Sequence, residues 1–184
     1  MRNSFLLAIP AALVATPALA QSNGTVNVNG SVADRCLFTV PSAVIALGEI
    51  SQSGTGAAAG KLDTTRVDNQ FRDLVGWCNG TAATMTVEAQ PLLNLDYSGT
   101  PISGFDTRVD YRATAAANNA SATDTSLSTS PGPGSAVNVG LFTGNIRVTL
   151  SQSSTPASGL LVAGNYGGQV VVTLTPNFSG GGGD

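Results

Sequence analysis

Histidine is absent from the 184 residues, and lysine occurs once, at Lys61. Without histidine, neither a Ser-His-Asp nor a Cys-His catalytic arrangement can be built. Charged residues make up only 10% of the chain and the net charge is −3. The seven arginines are scattered, so no basic stripe exists to track a phosphate backbone, and no nucleic-acid partner is expected. Two cysteines, Cys36 and Cys78, are too few for a structural zinc site without histidine. Past the first twenty residues no apolar run is long enough to cross a bilayer. Helical periodicity sustained over ten residues is also missing. The nearest approach, residues 62–74, reads as a short helix or a turn.

The N-terminus carries an address. Arg2 is followed by a short apolar stretch, Phe5 to Val14, and then by Ala18-Leu19-Ala20, an A-x-A cleavage signal. Residues 1–20 therefore read as a secretory signal peptide, with the mature chain starting at Gln21 and exported from the cytoplasm. An even cysteine count in an exported chain argues for a disulfide, and only one pairing, Cys36 with Cys78, is open. A loop of that size should stabilise the fold by roughly 4 kcal/mol in the chain-entropy picture.

The mature sequence alternates with period two in many short runs. Thr25 to Val32 places Val26, Val28, Gly30 and Val32 on one face and polar residues on the other. Cys36 to Val40, Phe71 to Cys78, Thr84 to Gln90 and Thr107 to Ala113 read as further strands. Leu93, Leu95 and Tyr97 share a face, as do Val137, Val139 and Leu141. Ile146, Val148 and Leu150 form another set, and Gln169 to Thr175 makes the last strand. Asn79-Gly80 is a hairpin signal. Trp77, beside Cys78, is expected in the core near the disulfide. Residues 51–60 and 115–135 read as loops, the second with room for a weak edge strand. Short strands separated by Gly, Pro and Asn indicate an all-β fold, a β-sandwich.

Three motifs in this order resemble the archaic chaperone–usher pilins, the group that includes the spore coat protein U domain. An alternating N-terminal strand precedes Cys36. The second cysteine closes a strand before a turn, in Val75-Gly76-Trp77-Cys78-Asn79-Gly80-Thr81. The C-terminal region reads Ala163-Gly164-Asn165-Tyr166 and then Val170-Val171-Val172-Thr173-Leu174-Thr175, like the family's Gly-x-Tyr turn and valine-rich last strand. Val139 to Gly144 is similar to the family's penultimate region. The chain departs from the pattern in its Gly-rich tail after Phe178 and in the texture of residues 115–135.

The resemblance implies an immunoglobulin-like pilin sandwich that lacks one strand. It implies a signal peptide at 1–20, a donor-strand extension at 21–33, a sandwich at 34–178 and a flexible tail at 179–184. Val26, Val28, Gly30 and Val32 would insert into a neighbouring subunit, completing its sheet by β-strand addition. The implied partners are other pilin subunits, a periplasmic chaperone and an outer-membrane usher. The implied destination is a cell-surface fibre serving adhesion or biofilm formation.

Two other readings compete. Residues 25–32 could be the protein's own first strand, within a self-contained secreted sandwich that binds a carbohydrate or surface ligand. A hydrolase would need paired carboxylates, and Glu49, Asp63, Asp68, Asp73, Glu88, Asp106 and Asp110 show no pairing signature. Asp106, Asp110 and Asp124 could offer oxygens to calcium, but their spacing matches no calcium loop. No cofactor, metal or catalytic residue is expected.

Overall fold

The computed structural model describes residues 22–100 and 102–177. The signal peptide expected at 1–20, Gln21, Phe178 and the tail at 179–184 lie outside the described residues. The chain divides into two units, Met1–Val32 and Ala33–Asp184. The described part of the first contains no strand.

The second unit is almost entirely β. Its elements are β1 (Cys36–Val40), α1 (Thr64–Val67), β2 (Phe71–Cys78), β3 (Thr84–Ala89), β4 (Leu92–Asn94), β5 (Phe105–Asp106), β6 (Arg108–Ala117), β7 (Ala120–Thr125), β8 (Val137–Asn138), β9 (Phe142–Ser154), β10 (Leu160–Leu161), β11 (Tyr166–Gly167) and β12 (Val170–Thr175). The larger sheet runs β1-β2-β9-β6-β4-β11, and β7 also pairs with β6. A smaller sheet runs β12-β3-β8, and β5 pairs with β10 in parallel. The remaining ladders are antiparallel.

Both main sheets contribute to one core, which makes the fold sandwich-like. Met85, Val87 and Ala89 of β3 face Val109, Tyr111 and Ala113 of β6 and Ile146, Val148 and Leu150 of β9 in one buried cluster. Val170, Val172 and Leu174 of β12 pack against it while remaining partly open to solvent. These are the faces that period-two alternation assigns. The helical segment is one turn, its N-terminus capped by the Asp63 carboxylate accepting from the Thr65 N–H.

Four local expectations are overturned. Residues 115–125 are not a loop: β6 continues to Ala117 and returns as β7. The turn is Asn118-Asn119, both with positive φ, the geometry a two-residue hairpin requires. Ala113, Ala115, Ala117 and Ala122 are all buried there, an inward face made of the smallest apolar side chain. Asn79-Gly80 is not a hairpin turn either. β2 belongs to the larger sheet and β3 to the smaller, so this dipeptide carries the chain between sheets.

In β4 the inward positions are Leu92 and Asn94, leaving Leu93 and Leu95 exposed. Buried Asn94 is fully engaged. Its Nδ2 donates to the carbonyls of Val162 and Ala163, and its Oδ1 accepts from the N–H groups of Asp96 and Tyr97. Trp77 lies on the outer face of β2, paired across the ladders with Leu37 and Thr143. Gly76 and Cys78 take the inward positions on either side of it. A side chain at Gly76 would begin 3.0 Å from the Leu37 carbonyl oxygen, so glycine there lets β1 and β2 lie close.

Cys36 and Cys78 are bonded, with 42 residues of separation, and sit opposite one another in the β1–β2 ladder. A disulfide belongs to a non-reducing compartment, as expected of an exported chain. No helix among the described residues is long and apolar enough to cross a membrane. Replacing both cysteines by serine should lower the unfolding free energy by about 4 kcal/mol, the chain-entropy value for this loop. Urea denaturation of the oxidised protein and the double variant measures it. A loss below about 1 kcal/mol would show that the unfolded chain is not constrained as supposed.

Candidate functional site

The site is a trough, and its walls are two strand edges. β12 pairs with β3 along its full length, from Val170↔Ala89 to Thr175↔Thr84. Among the described residues its opposite edge carries no ladder. Facing it is the chain that leaves β1. The ladder with β2 is irregular between Phe38 and Val40, and Pro41 has no N–H to continue it. Residues 41–49 then run on with Ile45 and Leu47 half-buried and Val44 and Ala46 exposed. That is strand periodicity without a strand. Among the described residues, the backbone of 41–49 takes part in no backbone–backbone hydrogen bond. Arg72 reaches it, its Nε donating to the Val44 carbonyl at 2.9 Å, and the Glu49 carboxylate accepts from the Ser51 N–H and hydroxyl.

Between these walls lies a cavity of about 410 Å³. Its floor is the core itself: Leu74 of β2, Val148 and Leu150 of β9, Leu92 of β4 and Tyr111 of β6. Phe38 and Ile45 rise on one side and Val170 to Val172 on the other. A second hollow of about 550 Å³ continues it between residues 45–51 and 161–168, sharing Ile45, Leu47, Leu92 and Gly168. The trough is therefore long, apolar at one end and, among the described residues, bounded by backbone that joins no ladder.

At its floor Tyr111 is buried. Its hydroxyl donates to the Gln90 carbonyl at 2.5 Å and lies 3.2 Å from the Gln169 carbonyl, where β12 begins. Burial pushes its pKa up to about 12, and the Asp124 carboxylate adds to the effect.

The residues expected to act as a donor strand lie in the other unit. Val26, Val28 and Val32 are 87%, 90% and 82% exposed, and no atom lies within 4 Å of where a Gly30 side chain would begin.

The carboxylates weighed for catalysis or calcium are occupied in holding loops. Asp106 accepts from the N–H groups of Ala157 and Gly159, Asp68 from Ser153 and Asp124 from Ala89. Asp110 pairs with Arg108 at 2.7 Å and accepts from the Ser126 hydroxyl. Asp73 is held below the usual carboxylate range by its hydrogen bonds to Arg147, whose guanidinium also lies over the Phe71 ring. Among the described residues no three His, Cys, Asp or Glu side chains gather as a metal site would require.

Comparison with protein-family models, with curated proteins and with solved structures finds no match to this chain.

Tyr111 gives the trough a pH signature. Its folded pKa of about 12 lies above the ordinary value of 10.0, so its contribution is complete below pH 10 and is lost as pH rises through 12. The loss between those limits should approach about 2–3 kcal/mol. Urea unfolding at pH 9 and pH 11, with Tyr111→Phe as control, should read about half of it. The variant should lack this part of the alkaline loss; an identical loss in both proteins would refute the assignment.

Proposed function

We propose that this chain is a structural subunit of a chaperone–usher-type pilus or surface fibre, assembled by donor-strand complementation. The observation that carries the proposal is the match in shape and side-chain pattern between two parts. The body has a strand-shaped apolar trough edged by β12 and by residues 41–49. The chain also has a valine-studded ribbon, residues 22–32, that forms no strand. The ribbon of one copy fills the trough of the next. Its backbone supplies the ladder that β12 lacks, and Val26, Val28 and Val32 enter the apolar slot while Gly30 passes a narrow point. Each buried valine contributes on the order of 1.5–3 kcal/mol. An eight-residue strand, Thr25 to Val32, spans about 26 Å, enough to cover the roughly 20 Å of β12.

On this proposal the body is an incomplete immunoglobulin-like sandwich of pilin type. Its partners are neighbouring subunits, a periplasmic chaperone that lends a strand in transit and an outer-membrane usher. Its destination is the cell surface, in adhesion or biofilm formation. The order of motifs resembling the archaic pilins supports this as well.

Deleting residues 21–33 from the mature chain should abolish polymers that survive cold detergent and dissociate on boiling. The shortened body should take up a synthetic peptide of residues 22–33, one per subunit. A Val28→Asp peptide should bind at least about tenfold more weakly, since it carries a charge into an apolar slot. Polymerisation of the deleted chain at the full-length rate would rule the ribbon out as donor.

A further inference from the structure

We infer that Asn79 is a clasp that fixes the first residues of the folded body, Ala33 to Arg35, against the end of β2. The inference about the clasp stands on the body alone. Its consequence for a fibre rests on the function proposed above.

Three hydrogen bonds of one residue, Asn79, hold two positions of the incoming chain, Ala33 and Arg35. The Asn79 N–H donates to the Arg35 carbonyl at 3.0 Å. The Asn79 Oδ1 accepts from the Arg35 N–H at 2.6 Å, and its Nδ2 donates to the Ala33 carbonyl at 3.0 Å. The residue between, Asp34, turns its carboxylate onto Gly80. Both oxygens are buried without a hydrogen-bond partner among the described residues. A side chain at Gly80 would overlap that carboxylate, so glycine is what lets it close. One step further along each strand, Cys36 and Cys78 are covalently joined. The change from ribbon to body is therefore abrupt. Val32 is 82% exposed, whereas Ala33 and Arg35 are tied at the backbone.

The chemistry singles out an amide at position 79. Only a side chain offering an acceptor and a donor on the same short stem can bridge the Arg35 N–H and the Ala33 carbonyl. Aspartate has the same shape but meets the Ala33 carbonyl with an oxygen, beside an already unpartnered Asp34. In a fibre, tension on an inserted ribbon would enter the body at Ala33. It would pass at once to Asn79 and to the disulfide, so successive bodies would be joined by a short, stiff connector.

Site-resolved amide exchange on the monomeric fraction of the full mature chain tests the clasp. The Arg35 and Asn79 amides should exchange about a hundredfold or more slowly than those of Asn27 to Ser31. In Asn79→Asp the Arg35 amide should fall to the ribbon's rate while the β9 amides keep their protection, and trypsin should then cut after Arg35. Wild-type Arg35 exchanging as fast as the ribbon would overturn the clasp. So would an Asn79→Asp protein that keeps Arg35 protected. If that variant does not fold, the wild-type profile decides alone. A failed donor role would appear as absent polymerisation and would leave this exchange pattern unchanged.

Discussion

The free edge of β12 is the constraint around which the rest of the body is arranged. Three of its residues face the core, so it cannot retreat into solvent, yet only one of its two hydrogen-bonding edges is used. Opposite, the chain leaving β1 keeps a strand's periodicity without acquiring a partner. Pro41 and the irregular ladder before it stop β1 from extending, and the segment that follows lies beside a slot instead of closing it. A slot floored by Val148, Leu150 and Tyr111 exposes apolar surface and unpaired backbone together. Either alone is common on protein surfaces; both along one line form a template for an added strand.

The scarcity of charge bears on how the loops are held. Eleven acidic residues meet eight basic ones, and few of them form ion pairs. Asp106, Asp68 and Asp124 instead accept backbone N–H groups far away in sequence. Asp96 does the same for Asn165 at 2.7 Å. Those of Asp68, Asp96 and Asp106 tie loops to distant parts of the chain, and that of Asp124 joins β7 to the end of β3. Hydrogen bonds to ionised acceptors are stronger than neutral ones, which suits a chain with few long side chains to staple its connections.

Much of the core was legible in the sequence, because β3, β6, β9 and β12 alternate large apolar and polar side chains. Where the signal was weaker, it failed for identifiable reasons. The β6–β7 hairpin builds its inner face from alanine, which composition alone does not distinguish from a loop. Leu92 to Leu95 offered two overlapping alternations, and the correct one buries Asn94, a polar residue affordable only because four partners meet it. Asn79-Gly80 carries a turn signal, but a dipeptide cannot say whether the strands it joins pair or part. Trp77 was drawn toward the core by its size, although Cys78 beside it had already taken the inward position. The alternation of residues 25–32 reads as a strand, yet no strand forms there, since periodicity alone does not supply a pairing partner.

The junction before β1 bears on whether the ribbon could instead complete its own body. A chain that reverses direction needs about two residues for the tightest turn. Residues 33–35 are held by Asn79 and Gly80, and Cys36 is bonded to Cys78, so none of these can supply it. The turn would have to come from the ribbon, where Asn29-Gly30 is the natural place for one. Turning there would consume Gly30 and strand Val32 on the wrong arm, leaving two valines where the alternation provides three. On the proposed assembly, donation to a second copy would spend no residue on a turn and would keep all three valines on one face. It would also join two different surfaces of identical subunits, a contact that propagates instead of closing.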